Sequence, residues 1–76
     1  MTGAYVLINC SAGKVGSVLR TLRRVGVKEA RAVTGLHDIV AYVQASNHNS
    51  LGRLVVEKIQ SADGVQRTIT MVTVKV

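Results

Sequence analysis

At 76 residues and 8.1 kDa the chain has room for one domain, residues 1–76, and its 47% hydrophobic content excludes intrinsic disorder. Ten Lys and Arg against Glu29, Asp38, Glu57 and Asp63 leave a net charge of +6, which fits a nucleic-acid or acidic partner, or simply the solubility of a very apolar small protein. The longest apolar run, Ala4 to Ile8, is far short of the roughly 20 residues of a membrane span. No signal-peptide pattern opens the chain, and a single cysteine, Cys10, suits a reducing cytoplasm.

Proline is absent and seven glycines punctuate the chain. Residues 4–10, Ala4-Tyr5-Val6-Leu7-Ile8-Asn9-Cys10, predict a strand with both faces covered. The period then changes: Val15, Val18, Leu19, Leu22 and Val25 share one helical face, with Ser11 expected as N-cap and Gly26 as a left-handed stop. Lys14, Ser17, Arg20, Thr21 and Arg24 take the wet face. Residues 28–34 alternate charged and apolar side chains over most of their length, the pattern of a half-covered strand. Gly35-Leu36-His37-Asp38 turns the chain into a further strand, 39–45, and so short a connection pairs the two as an antiparallel hairpin. Ser46-Asn47-His48-Asn49-Ser50 is a capping cluster ahead of a second helical face, Leu51, Leu54, Val55, Ile59 and Ala62, which Gly64 closes. Val65 to Val76 is the last strand, with Thr68, Thr70, Val72, Val74 and Val76 on one side and Ile69 and Met71 on the other.

The order β-α-β-β-α-β has no linker or tandem repeat. Each helix serves as a right-handed crossover, which puts both on the same side of one four-stranded antiparallel sheet. The fold class is therefore α+β, ferredoxin-like. Two helices cover one face only, yet the strands are apolar on both parities: Tyr5 and Leu7 alternate with Val6 and Ile8, and Ile39, Ala41 and Val43 with Val40 and Tyr42. One set must be left over, an apolar patch larger than a soluble monomer shows. The expected remedy is a second copy stacked sheet to sheet in an isologous dimer.

Catalytic signals are thin. Cys10 sits near a helix N-terminus, a place that lowers a thiol pKa, but no base lies nearby in sequence, and a packed core cysteine is expected. Gly13-Lys14 resembles part of a phosphate-binding loop, but Ile8 stands where the first glycine is required and Val15 where a hydroxyl would hold magnesium. His37, Asp38 and His48 match no zinc spacing, so no metal or cofactor is expected, and for Asp38 alone the simplest role is a carboxylate accepting backbone N–H groups at a turn. Sheets of this class that bind RNA stack bases on exposed aromatics, and here Tyr5 and Tyr42 are the only aromatics. The cluster Arg20, Arg23, Arg24, Lys28 and Arg31 is read first as a solvated surface, although it could grip phosphates without specificity. Direct DNA binding is not expected.

Val33-Thr34-Gly35-Leu36-His37-Asp38-Ile39-Val40, then Leu51-Gly52 and Val56-Glu57-Lys58-Ile59, then Gly64-Val65-Gln66-Arg67-Thr68-Ile69-Thr70, resemble the effector-binding (RAM) domain of Lrp/AsnC regulators. Tyr5-Val6-Leu7-Ile8-Asn9 and Gly13-Lys14 fit its start, so the resemblance covers essentially the whole chain. Met1-Thr2-Gly3 leaves no room for the helix-turn-helix of those regulators, so the chain resembles the stand-alone members. The resemblance implies no enzyme activity, sheet-packed dimers assembled into larger rings, and an amino acid-like effector held between dimers. It also implies mixed assembly with full-length Lrp/AsnC regulators. It assigns the effector to Gly35, for close backbone approach; to Asp38, for the ligand ammonium; to the hydroxyls of Thr68 and Thr70, for the carboxylate; and to Met71 and Val72, which shape the site. Leu36-His37 departs from the polar-aromatic pair common in the family at that point.

Overall fold

Four strands, β1 (Thr2–Cys10), β2 (Glu29–Ala32), β3 (Ile39–Ala45) and β4 (Val65–Val72), form one antiparallel sheet in the order β2-β3-β1-β4. The computed structural model describes residues 1–76. Helix α1 (Val15–Arg24) connects β1 to β2, and α2 (His48–Leu54) continues as a π-helical turn, Val55–Ile59, before β4. The ferredoxin-like arrangement expected from the element order is the one observed.

Parity decides which apolar residues are buried. Ala4, Val6 and Ile8 of β1 and Ile39, Ala41 and Val43 of β3 point at the helices and join Val18, Leu22, Leu51, Val55 and Ile59 in one core. Cross-strand partners share a face, so Tyr5 and Leu7 align with Tyr42 and Val40 on one side and with Met71 and Ile69 on the other. These six form the uncovered face. Tyr5, Ile69 and Met71 remain 46%, 43% and 46% exposed, and the Tyr5 and Tyr42 rings meet at 4.9 Å between centroids. Tyr42 also lies across Gly3, where a Cβ would overlap its hydroxyl.

Several boundaries differ from the sequence expectation. Ser11 does not cap α1: its carbonyl accepts from the Lys14 N–H in a turn, and the helix starts at Val15 with no side-chain cap. In α2 a member of the expected cluster does cap, the Asn47 side chain accepting from the Ser50 N–H at 2.8 Å. The π turn, closed by the Gln60 N–H on the Val55 carbonyl at 2.8 Å, is invisible to a 3.6-residue pattern. Strand β2 is shorter than 28–34. Strand β4 ends at Val72 rather than Val76: the Thr73 N–H still donates in register to the Gly3 carbonyl, but β1 begins at Thr2 and offers no further partner, leaving Val74 and Val76 exposed.

Gly64 joins the second helical segment to β4 at φ +97°, and an added Cβ would sit 2.8 Å from the Lys14 Cβ on α1. Gly26 has a similar φ of +91° with open space around it. Gly64→Ala is expected to cost about 2–3 kcal/mol from left-handed strain plus overpacking, and Gly26→Ala about 1 kcal/mol from strain alone. Urea unfolding of the two variants measures the difference.

Candidate functional site

The hairpin loop 33–38 is built onto the end of β1. The Val33 N–H donates to the Asp38 carbonyl and closes the loop, while the Asp38 N–H donates to Ile8 at 2.9 Å as the last backbone rung toward β1. Beyond that rung the Cys10 N–H has no strand partner on this side, and the Asp38 carboxylate accepts it at 2.8 Å through Oδ2. The carboxylate thus extends the ladder by one step, at the position where the β1–β4 register shifts between Asn9 and Cys10. Its other oxygen, Oδ1, has no protein donor, and of the four acidic residues only Asp38 is in no salt bridge.

Asn9 holds the tip. Its Nδ2 donates to the Leu36 carbonyl at 2.9 Å, and its Oδ1 faces His37 Nδ1 at 2.9 Å, so the ring donates from Nδ1. Asn9 and His37 went unassigned in the sequence because they lie 28 residues apart and no local pattern links them. Gly35 has φ +126° and open space where a Cβ would be. Its glycine requirement is conformational, and the exposed backbone beside it is approachable.

The remaining assigned residues lie on β4, two strands away with β1 between. Thr68 and Thr70 pair with Ile8 and Val6 and share the helix side with Val72, whereas Met71 points to the uncovered face. On β4 Thr70 is exposed and Thr68 half-buried, so both hydroxyls can be reached from solvent. Thr68 Oγ1 accepts from Gln60 Nε2 at 2.9 Å, which leaves its own proton free to be donated. The Asp38 carboxylate reaches β1 at Cys10 from one side, and Thr68 and Thr70 pair with Ile8 and Val6 from the other, so the two sets of groups flank β1 and share no pocket within one chain. The two cavities, of about 440 and 310 Å3, lie elsewhere: one around Gly3, His48 and Thr73, the other along Gly52, Arg53 and Val56.

Cys10 is half-buried and packs against the core. Burial, and secondarily the negative Asp38 beside it, push its thiol above the ordinary cysteine value, which is opposite to the activation a nucleophile needs. No cluster of His, Cys, Asp and Glu could hold a metal ion, and no helix is long and apolar enough to cross a membrane.

The family model of the Lrp/AsnC ligand binding domain matches residues 3–76. The chain belongs to the Lrp/AsnC ligand-binding domain family. The crystal structure of FFRP-DM1 superposes with a TM-score of 0.93 at 32% identity, covering 97% of this chain and 100% of that one. An uncharacterised HTH-type transcriptional regulator of Pyrococcus horikoshii is 42% identical over 48 residues, which are 63% of this chain and 32% of the regulator. The chain therefore matches about a third of the length of that curated relative. A homocitrate synthase of Saccharolobus islandicus is 34% identical over 74 residues, 95% of this chain and only 16% of the enzyme. A Neisseria meningitidis transcriptional regulator solved with L-Met shares the Lrp/AsnC domain fold, with a TM-score of 0.80 at 18% identity, covering 97% of this chain and 50% of that one.

Two outcomes follow from the Asp38–Cys10 contact. Asp38→Ala leaves the Cys10 N–H without its acceptor and is expected to destabilise the chain by about 1–2 kcal/mol, whereas Asp38→Asn retains a carbonyl oxygen and loses much less; thermal unfolding compares them. For Cys10, the folded thiol holds its proton to higher pH than the unfolded one. Its contribution is therefore intact below the ordinary thiol value and is lost as pH rises above it. A thiol-reactive dye at pH 8 should label the native protein slowly and the urea-unfolded chain rapidly.

Proposed function

We propose that this Lrp/AsnC domain, a single unit over residues 1–76, is an effector-binding and assembly module that pairs through its uncovered sheet faces and holds an amino acid-like ligand between dimers. The observation that carries the pairing is the row Tyr5, Leu7, Val40, Tyr42, Ile69 and Met71, contiguous across three strands and without a covering element. Stacking it on a second copy removes from water a surface that a soluble monomer does not keep. Glu29 and Arg31, paired at 3.1 Å on β2, and Arg67 on β4 flank that row with charge, as a polar rim flanks an apolar interface.

For the ligand, the free Oδ1 of Asp38 suits an ammonium group and the exposed backbone at Gly35 admits close contact. The protons of Thr68 and Thr70 suit a carboxylate, with Val72 bordering them on the same face, whereas Met71 on the opposite face belongs to the pairing row. These groups flank β1 on opposite sides and line no cavity in one chain, which supports a site completed by a neighbouring copy. The L-Met held by the Neisseria regulator agrees with this ligand class. The module is also shared with proteins as different as a transcriptional regulator and a homocitrate synthase, which supports a sensing rather than a catalytic role. The setting is cytoplasmic, and the chain modulates full-length family regulators by mixed assembly.

Ile69→Glu places a charge on the uncovered face without touching the buried core. Analytical ultracentrifugation should show a wild-type dimer at micromolar concentration and at least a roughly 100-fold weaker one for the variant, because an unpaired buried charge costs several kcal/mol. A wild-type monomer ends the pairing proposal. Calorimetry against the twenty amino acids at millimolar concentration tests the sensor separately. Binding by wild type and its loss in Asp38→Asn, which keeps the fold, are expected; no binding at all leaves an assembly protein without a ligand.

A further inference from the structure

The net charge of +6 is not spread evenly. Three of the four acidic residues are spent locally: Asp63 on Lys14 at 3.5 Å, Glu29 on Arg31 at 3.1 Å, and Glu57 on Arg53 at 3.3 Å. Seven of the ten cations therefore have no acidic partner, and four of them, Arg20, Arg23, Arg24 and Lys28, fall within nine consecutive residues. All four are exposed. At 3.6 residues per turn the three arginines occupy an arc of about 100° on α1, opposite the buried Val18 and Leu22. Arg23 also reaches the Ala30 carbonyl at 3.5 Å, which brings its guanidinium toward the start of β2 beside Lys28. Favourable interaction with the helix dipole accounts for Arg23 and Arg24 in the last turn but not for Arg20 or Lys28.

What surrounds the stripe selects its partner. No large exposed apolar side chain lies between Val6 and Ala32, so the stripe lacks the anchors on which a protein interface depends. It has no aromatic residue, and both tyrosines are on the far face of the sheet, so unpaired bases find nothing to stack on. Ser17 and Thr21, the hydroxyls that flank the arginines, spend their protons on the Lys14 and Ser17 carbonyls of their own helix, so neither has a proton to donate to a base edge. Gly13 and Gly16 keep the first turn low, and Arg20 lies along Gly16, where a Cβ would be 3.7 Å from its Nη1. Guanidinium groups on a rigid helix with no base-reading side chain match a run of phosphates. We propose that this face of α1 is a sequence-independent contact for the phosphate backbone of duplex DNA. It lies on the helix side of the sheet, so it stays open whether or not the opposite face pairs, and it does not depend on ligand binding.

Fluorescence anisotropy with a labelled 20-base-pair DNA duplex, repeated over a series of salt concentrations, is the test. Four phosphate contacts predict a slope of log K against log [salt] near about −3.6, and binding weaker than roughly micromolar at physiological salt, without sequence preference. Arg20→Gln with Arg24→Gln should make the slope shallower by about 2, while Lys58→Gln with Lys75→Gln, off the stripe, should leave it unchanged. Circular dichroism confirms that both variants remain folded. Absence of binding at 50 mM salt overturns the assignment, as does a slope that responds to Lys58 and Lys75 but not to the arginines. Equal or tighter binding of duplex RNA, single-stranded poly(dT) or polyglutamate overturns it as well, because each would select a different partner.

Discussion

Right-handed crossovers place α1 and α2 on the same side of the sheet, and most of what distinguishes this molecule follows from that handedness. The sheet has two faces and the chain can cover one. Its core, with Ile8, Val6, Val18, Leu22, Ile39, Val43 and Ile59 fully buried, is complete on the covered side. On the other side the strands carry apolar side chains of similar size that nothing in the chain shields. Alternation of apolar with polar residues would have made that face a solvent surface. Apolar residues on both parities make it a surface in need of a partner, and the rim of Glu29, Arg31 and Arg67 limits that need to the centre of the sheet.

The element order and the existence of an uncovered face were legible because each rests on short-range periodicity. The parity itself was not. Tyr5 and Val6 are equally suited to a core, and only the packing of Val18, Leu22 and Leu51 against Val6 and Ile8 assigns the tyrosine to the outside. The π turn at Val55–Ile59 was hidden because one extra residue per turn leaves the apolar spacing almost unchanged, while it brings Gln60 round to meet Thr68. The end of β4 near Val72 follows from where its partner begins: β1 starts at Thr2, and the last in-register rung is the Thr73 N–H on the Gly3 carbonyl. Valine-rich composition argues for continuing the strand, but the remaining residues have no neighbouring strand to pair with.

At the hairpin, one of two readings open in the sequence is directly visible. Asp38 does what a turn carboxylate ordinarily does and accepts a backbone N–H, that of Cys10. The effector role assigned by family resemblance needs the same carboxylate, and the two are compatible because only Oδ2 is engaged. Holding Oδ2 on the Cys10 N–H fixes the direction of Oδ1, so the structural contact pre-orients the group that a ligand would meet. Asn9 extends this logic by tying the Leu36 carbonyl and the His37 ring to β1, which gives a six-residue loop the rigidity of the sheet behind it. The departure from the family at Leu36-His37 is accommodated here: His37 is used inward on Asn9, and Leu36 contributes its backbone while its side chain stays exposed.

The distribution of charge completes the division of surfaces. A small domain with few acids could have scattered them as general solubilisers, but Asp63, Glu29 and Glu57 each neutralise one nearby cation and Asp38 is committed to the loop. The ion pairs themselves contribute little to stability, since all three are on the surface. Their larger consequence is subtractive: they remove Lys14, Arg31 and Arg53 from the field and leave the second half of α1 as the densest concentration of unbalanced charge. Apolar sheet, polar loop and basic helix are therefore three chemically distinct surfaces of one 76-residue chain.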